Sequence, residues 1–593
     1  MSNAIVVENQ QRTTVEAWQA LGMSAGEDPR DVWDAAASNQ IEGFTADISY
    51  DIGQDVQFKI NVNAQAADTT PYRIEIYRLG YYGGDGARLV DVIYNTDGKV
   101  QPDPVTDARG LVDAGNWSVS DSWHIPDAAC SGVYLAKLVR LDANGDPIPG
   151  ATNQIPFVVR DDTPADGTKS DIIFQTSDTT WQAYNGWSGN NGQVDESFYS
   201  EPQAHAVSYN RPIVTRDGGG VSAGAQDYLF GADYAAIYWL EQNGYDVSYM
   251  AGVDTDRLGA SNLVGHKAFI SVGHDEYWSG GQRANVEAAR DAGVNLLFWS
   301  GNEVYWRTRY EPSIAGTATD YRTLVCYKET YTNHDPDALA TAYTNLDPSN
   351  EWTGTWRDVR FADAVDANGV HIAVGAQAEN SLTGQYTVAT GSNDTGGALD
   401  IPEDYTGLRY WRGTAVAGGS GTLDLSQGII GFEWDTAPND ANRPAGLIRL
   451  SETVLPWSAL ITDQGNTTSP GTATHSLTLY RAASGALVFG AGTVFWSWGL
   501  SNQHDPIYNV NAESAIIQQF TVNMFADMGI QPETLQAGLH LATASTDHTP
   551  ATVAMNGLPA LATAGQTFYI SGTAVDPDDG NPATEDGVVA VVE

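Results

Sequence analysis

Cysteine and basic side chains are scarce in this chain. Of its 593 residues only two are cysteines, Cys130 and Cys326, which is too few for a disulfide framework or a cysteine-based zinc or iron–sulfur site. Lys and Arg together number 29 against 74 Asp and Glu, so the formal net charge at pH 7 is −45. Because a field of that sign repels nucleic-acid phosphate and anionic lipid, both kinds of partner are disfavoured.

Long apolar runs are also missing. None reaches the roughly 18 residues that a transmembrane helix needs, so no membrane span is expected. The first residues lack a basic segment followed by an apolar core, so no signal peptide is visible. The composition is 42% hydrophobic and 10% aromatic, which is typical of folded domains. Acidity and β-rich modules together favour a location outside the cytoplasm, extracellular or at the cell surface.

Residues 36–161 are predicted to form an antiparallel β-sandwich. Apolar and polar residues alternate in several short segments, as in half-buried strands. About seven such segments, separated by turns rich in Gly, Asp and Asn, are typical of a sandwich. The clearest are residues 44–50, 56–62, 72–78 and 132–140. The preceding residues 1–35 are polar and mixed, and we interpret them as an extension.

Residues 168–535 have the pattern of an α/β domain. Helical spacing over 226–243 leads into a strand, and a second helix begins after Ser279, which forms a capping-box pattern with Gln282. Largely apolar strands that alternate with helices indicate a parallel sheet covered on both faces. The first of these strands are predicted at residues 171–174, 245–249, 267–272 and 294–299.

Two further regions complete the predicted organisation. Residues 345–430 are rich in Gly, Thr and Asn and lack a helical period, which indicates a β-containing insertion in the α/β domain. A closing helix is predicted at roughly 512–528. Strand patterns return in residues 545–593, which we interpret as a partial immunoglobulin-like module. Because this pattern stops partway, we expect the natural protein to be longer.

Polar side chains collect where the predicted parallel strands end, and ligands bind at that edge of an open α/β sheet. His274 and Glu276 follow one strand, and Asn302 follows the next. Residues two apart in an extended segment face the same way, so His274 and Glu276 can share a site. Packing of aromatic-rich loops is the alternative explanation for any one of these residues. The chain has no His-Glu-x-x-His, P-loop or dinucleotide motif.

Several segments carry distinctive motifs. They are residues 271–279 (SVGHDEYWS), 293–307 (GVNLLFWSGNEVYWR), 180–185 (TWQAYN), 76–84 (IYRLGYYGG) and 431–435 (GFEWD). Together they resemble the large (β) subunit of N,N-dimethylformamidase, over roughly residues 40–530 of this chain. The resemblance implies an immunoglobulin-like module followed by a glutamine-amidotransferase-like α/β domain. It also implies hydrolysis of a small formamide at a mononuclear iron held by two tyrosines and one glutamate.

Carried over by position, the resemblance makes Glu276 the carboxylate ligand and Tyr184 one phenolate. Tyr134, on a sandwich strand, is the favoured second phenolate, with an ordinary strand aromatic as the open alternative. Hard anionic oxygen donors suit ferric iron better than zinc or copper. His274 is then a base or orienter beside the metal.

Two further residues receive roles. Asn302 is expected to donate to the developing oxyanion, and Glu433 is a candidate for handling the leaving amine.

Two hypotheses about function follow. The first is a mononuclear ferric-iron hydrolase that cleaves the C–N bond of a small amide. The second is a secreted multidomain binding protein in which the α/β domain is a non-catalytic scaffold. The chain departs from the family by lacking its lectin-like front domain and by adding a trailing β module, so the metal site can be shared without the substrate. A homo-oligomer or additional immunoglobulin-like modules are possible partners.

Overall fold

The computed structural model describes most of the chain. The described residues are 2–34, 38–63, 71–164, 167–189, 196–332, 346–349, 351–359, 377–391, 396–420, 423–465, 467–506, 511–545, 552–557 and 571–575. The chain is multidomain and rich in antiparallel and mixed sheets, with few helices. In the part of the chain that the structure describes, no helix has the length and apolarity needed to cross a membrane.

Two sheets form the sandwich in the first third of the chain. The three-stranded sheet is antiparallel and contains, in spatial order, Ile41–Thr45, Asp55–Val62 and Asp121–His124. The five-stranded sheet is antiparallel except for its first pair and contains Ser49–Asp51, Pro147–Arg160, Gly132–Leu141, Tyr72–Leu79 and Ala87–Asn95. A small hairpin of Val105–Thr106 and Val112–Asp113 lies beside them.

Alternation along these strands builds the sandwich core. Phe58, Ile74 and Phe157 belong to one buried cluster that both sheets share. The opposite face of the five-stranded sheet is buried as well, because Val133 and Leu135 pack in the core of the α/β region. This sheet is therefore covered on both sides, and the sandwich is packed against the rest of the chain.

A buried ion pair crosses the boundary between the sandwich and the α/β region. The guanidinium of Arg78 donates to both carboxylate oxygens of Glu241, at 2.8 and 2.9 Å, and both side chains are fully buried. The hydroxyl of Tyr249 donates to the same carboxylate at 2.9 Å. Because a buried charge without its partner is costly, this pair makes the mutual placement of the two regions specific.

A seven-stranded mixed sheet is the centre of the α/β region. Its first five strands run parallel, the sixth runs antiparallel to them, and the seventh runs antiparallel to the sixth. In spatial order the strands are Val247–Ala251, Ile172–Thr176, Ala268–Gly273, Asn295–Ser300, Leu487–Gly490, Thr478–Arg481 and Ile448–Arg449. The predicted parallel strands are thereby confirmed, and their carboxyl ends meet at one edge of the sheet.

The α-helices of the described residues are short. They are Ala4–Glu8, Val15–Ala20, Pro29–Trp33, Asp178–Ala183, Leu229–Ala232, Tyr234–Gln242, Gly252–Arg257, Ala260–Leu263, Gly280–Asp291, Glu329–Thr332, Asn380–Thr383 and Ala515–Asp527. The capping box of Ser279 and Gln282 is confirmed, and so is the closing helix. The helix predicted over 226–243 is divided at Asp233, whose carboxylate accepts hydrogen bonds from Ser177.

The remaining strands form smaller sheets. One contains Ala206–Ser208, Thr323–Val325, Trp306–Glu311 and Tyr277–Ser279, and another contains Trp434–Thr436, Tyr386–Ala389, Thr453–Ile461 and Thr468–His475. Two-stranded sheets pair Gly397–Ile401 with Leu423–Ile430, and Thr552–Met555 with Gly572–Val575. Most of the predicted module at 545–593, and residues 360–376 of the predicted insertion, lie outside the described residues.

The predicted extension packs on the folded chain. Trp18 and Trp33 are both buried in the large core that contains the α/β region. Trp18 stacks on Tyr77 of the sandwich, and Trp33 lies against Tyr234 of an α/β helix. The domain boundaries and the immunoglobulin-like and amidotransferase-like assignments stay predictions.

Candidate active site

Two neighbouring parallel strands end next to the site and position its first side chains. Strands Ala268–Gly273 and Asn295–Ser300 are paired neighbours, so His274 and Asn302 leave the same edge. Gly273 has φ of +76°, and a Cβ there would lie 2.6 Å from the Cβ of Ala232. Only glycine fits this turn, which directs the following His274 and Glu276 into the interior.

The imidazole of His274 lies between carboxylates. Its Nδ1 is 2.9 Å from Asp227 Oδ1, and its Nε2 is 2.8 Å from Glu433 Oε2 and 3.4 Å from Glu276 Oε2. All four side chains are buried. Asp227 fixes the orientation of the ring, since the hydrogen bond at one ring nitrogen decides whether the other nitrogen donates or accepts. The other nitrogen therefore faces Glu433 and Glu276.

Asn302 is held from several sides. Its main-chain N–H donates to Asp435 at 2.9 Å, and Thr387 donates to its side-chain oxygen at 2.9 Å. Its amide nitrogen donates to Glu433 and lies 3.4 Å from His274 Nε2. Asn302 has φ of 54°, a left-handed conformation that asparagine tolerates better than most residues. The structure thus brings His274, Asn302, Glu276 and Glu433 together.

Two phenols complete a cluster of oxygens around Glu276. The hydroxyl of Tyr184 lies 2.8 Å from that of Tyr199 and 3.2 Å from Glu276 Oε2. The Tyr199 hydroxyl lies 3.2 and 3.3 Å from the two carboxylate oxygens. The two rings stack with centroids 4.3 Å apart. Tyr184 follows the helix Asp178–Ala183, whereas Tyr199 comes from a loop.

Tyr134 lies elsewhere. Its ring packs on Trp123 and Phe157 in the sandwich core, and its hydroxyl donates to the main-chain oxygen of Cys130 at 2.9 Å. The face of its strand that carries Tyr134 is the one that meets the other sheet of the sandwich. The structure therefore does not bring Tyr134 to Tyr184 and Glu276, and the second phenol beside Glu276 is Tyr199.

Lys328 supplies a buried cation next to the phenols. Its ammonium lies 3.4 Å from the ring centroid of Tyr199 and 4.8 Å from that of Trp306. Burial lowers the pKa of Lys328 to about 8, against the attraction of Glu276. Cation–π attraction of this kind grows as water is removed. Lys328 therefore places a positive charge against the Tyr199 ring and attracts the carboxylate of Glu276.

Burial governs the acidity of the whole cluster. It raises the pKa of Glu276 to about 7 and, together with the charge of Glu276, raises the pKa values of Tyr184 and Tyr199 well above their usual range. Burial lowers the pKa of His274, but its hydrogen bonds to Asp227 and Glu433 outweigh this and raise it well above the ordinary value. The site thus holds more acidic oxygens than nearby cations can balance.

This donor set fits a hard metal ion. Three oxygens from Tyr184, Tyr199 and Glu276 converge with separations of 2.8 to 3.3 Å, as expected for ligands about 2 Å from one ion. Phenolate and carboxylate are hard anionic donors. Among the described residues, no group of three or more His, Cys, Asp or Glu side chains could hold a metal ion, and the present cluster differs by using phenols.

Three residues of the site escaped the sequence-based prediction. Tyr199 and Lys328 come from loops and Asp227 from a single turn of 3-10 helix, rather than from strand ends. No local pattern marks them, because each reaches the site through a contact between segments distant in the chain. Lys328 has φ of 45°, which is uncommon outside glycine and is visible only in the structure.

Comparison with known proteins identifies the family. The fold and the site define a β-rich multidomain protein with a buried cluster of phenols, carboxylates and one imidazole. The family model described as "N,N-dimethylformamidase beta subunit-like, C-terminal" matches residues 73–507. The chain belongs to this family, which is broadly one of hydrolases.

Other comparisons add little. No curated protein matches the chain. A Pseudomonas fluorescens alkylpurine DNA glycosylase bound to DNA with an abasic-site analogue is 13% identical, with a TM-score of 0.13, over 20% of this chain and 30% of that one. A Clostridium perfringens family 123 glycoside hydrolase is 11% identical, with a TM-score of 0.11, over 23% of this chain and 27% of that one. The chain thus spans less than a third of either structure.

Proposed function

We propose that the protein is a mononuclear ferric-iron hydrolase that cleaves the C–N bond of a small amide. Family membership supports the reaction class. The observation that carries the proposal is the convergence of Tyr184, Tyr199 and Glu276 on one point, with His274 and Glu433 alongside. A small formamide such as N,N-dimethylformamide is the first substrate to test.

The ligand set in this proposal is Tyr184, Tyr199 and Glu276. A bound ferric ion would act as a Lewis acid that polarises the amide carbonyl and lowers the pKa of a water molecule. Lys328, next to the Tyr199 ring, favours negative charge on that phenol.

Proton transfer is assigned to His274 and Glu433. His274 Nε2 and Glu433 Oε2 are 2.8 Å apart, so a proton can pass between them directly. Asp227 holds His274 Nδ1 and so keeps Nε2 directed at the reacting groups. The pair takes a proton from the attacking water and returns it to the amine nitrogen as the C–N bond breaks.

Asn302 is the positioned donor. Thr387 and Asp435 fix its side-chain oxygen and its main-chain N–H, which leaves its amide nitrogen directed at Glu433 and His274. A donor fixed before reaction can stabilise an oxyanion as it forms. Addition of water to the carbonyl carbon and loss of the amine then give one carboxylic acid and one amine.

Metal analysis combined with an amide hydrolysis assay tests the proposal. Protein purified with iron present should contain one iron per chain, show the visible band of phenolate-to-iron charge transfer, and release equal amounts of acid and amine. A colourless, metal-free protein without turnover would contradict it and would favour the multidomain binding protein instead.

A further inference from the structure

Arg211 forms a fully buried cross-link in the part of the chain that carries both phenols. Its guanidinium donates to the main-chain oxygens of Gln182 at 3.0 Å, Trp187 at 3.3 Å and Glu196 at 3.0 Å. Its Nε donates to the main-chain oxygen of Ser208 at 3.2 Å, and the residue has no exposed surface. One planar side chain thus joins four separate stretches of backbone.

Three of these acceptors flank the phenols in sequence. Gln182 and Trp187 lie on either side of Tyr184, and Glu196 comes shortly before Tyr199. Residues 190–195, between Trp187 and Glu196, lie outside the described residues. Arg211 therefore connects the two ends of this stretch and holds the backbone before Tyr199 against the backbone around Tyr184.

Asn185 makes a second cross-link in the same place. Its side-chain oxygen accepts hydrogen bonds from the main-chain N–H groups of Trp187 and Val214, at 3.2 and 3.1 Å. Its amide nitrogen donates to the main-chain oxygen of Pro212 at 2.9 Å. Asn185 is fully buried and therefore ties the turn after Tyr184 to the segment that follows Arg211.

We propose that Arg211, assisted by Asn185, is a positioning residue that sets the separation of the Tyr184 and Tyr199 hydroxyls. This inference rests on the proposed function, because the separation matters most when the two oxygens share one ion. A fork of several N–H donors in a fixed plane suits this task, whereas a lysine ammonium is a single point of charge. Residues that orient ligands typically change metal affinity about 10- to 100-fold when altered.

The test compares Arg211→Lys with a matched control, Arg283→Lys. Arg283 is also buried, and it donates to the main-chain oxygens of Gln377 and Ala378, at 2.6 and 3.2 Å. Iron alone is titrated into metal-free protein while the visible band, the far-UV circular dichroism and the melting temperature are recorded. Amide hydrogen exchange of residues 182–187 and 196–200 is measured on the same metal-free samples.

Arg211→Lys should bind iron about 10- to 100-fold more weakly, with a displaced visible band, and should exchange faster in both segments. Arg283→Lys should match the wild-type protein in all three respects. Unchanged exchange in Arg211→Lys, or equal losses in both variants, would overturn the inference. Wild-type protein without iron or colour would instead contradict the proposed function, and the exchange data would still decide the role of Arg211.

Asn185→Ala covers the case in which Arg211→Lys does not fold. It removes the second cross-link and keeps the guanidinium, so a smaller weakening of iron binding and a smaller displacement of the band are expected. Wild-type iron affinity in folded Asn185→Ala would then overturn the inference.

Discussion

Tyr134 in the sandwich core and Tyr199 in the candidate site are both buried tyrosines, yet their surroundings differ. The Tyr134 ring packs among aromatic residues, and its hydroxyl has a main-chain acceptor. The Tyr199 hydroxyl lies within 3.3 Å of a second phenol and of both oxygens of a carboxylate. Burial raises the pKa of both phenols. The groups that surround each buried tyrosine, rather than burial itself, distinguish the candidate site from the apolar core.

The surroundings of Tyr134 and Tyr199 also differ in their energetic cost. A buried hydroxyl with one good acceptor is satisfied and adds modest stability, about 0.5–1.5 kcal/mol. Acidic groups that are crowded in a buried place repel one another when they are charged. They therefore keep their protons unless a cation compensates the charge. In the proposed function, a bound cation compensates the acidic groups around Tyr199, whereas the hydroxyl of Tyr134 needs no such compensation.

Removing the carboxylate from the cluster should have the largest effect. Glu276→Gln keeps the shape but loses the anionic ligand, so iron content and turnover should both fall to background. Glu303→Gln is the matched control, because Glu303 is equally buried but accepts its hydrogen bonds from Ser271. Metal analysis of both variants checks this, and full iron in Glu276→Gln would remove Glu276 from the ligand set.

Removing the imidazole should separate catalysis from metal binding. His274→Ala is expected to keep its iron and to lose turnover about 100- to 10,000-fold, the usual contribution of general acid–base catalysis. His475→Ala, a change at another buried histidine whose ring contacts the main-chain oxygen of Ala491, is the control. If His274→Ala loses as much metal as Glu276→Gln, His274 is itself a ligand.

Tyr199→Phe directly tests the phenol that the sequence did not reveal. Loss of one oxygen donor should weaken iron binding by at least about 10-fold and displace or bleach the visible band. The band and the iron affinity are measured by titration of the metal-free protein. An unaltered band would mean that Tyr199 is only a neighbour of the ligands.

Tyr134→Phe should have the smallest effect. Loss of the hydrogen bond to Cys130 should lower the free energy of unfolding by about 0.5–1.5 kcal/mol and leave iron content and turnover unchanged. Denaturant unfolding and metal analysis provide the two measurements. A loss of iron in Tyr134→Phe would restore the sandwich tyrosine as a candidate ligand.

Local patterns predicted the framework of the fold well. The capping box at Ser279, the closing helix and the parallel strands all depend on neighbours within a few residues, so the sequence alone reveals them. His274, Glu276 and Asn302 could be placed together because parallel strands end at one edge. These signals need no knowledge of how distant loops pack.

The remaining site residues could not be predicted because they depend on long-range packing. Alternation along Gly132–Leu141 left two faces equally suitable as the core side, since the whole strand is buried. The strand is covered by the second sheet on one face and by the α/β region on the other. Tyr199 reaches Glu276 from a loop, where no periodic pattern exists to reveal its direction.

Anomalous scattering at the iron absorption edge tests the central claim most directly. In crystals of the iron-containing protein, the account predicts a single strong peak about 2 Å from the hydroxyl oxygens of Tyr184 and Tyr199 and from the carboxylate of Glu276. A peak at another place in the chain, or iron bound by His274 and Glu433 without the phenols, would contradict the account.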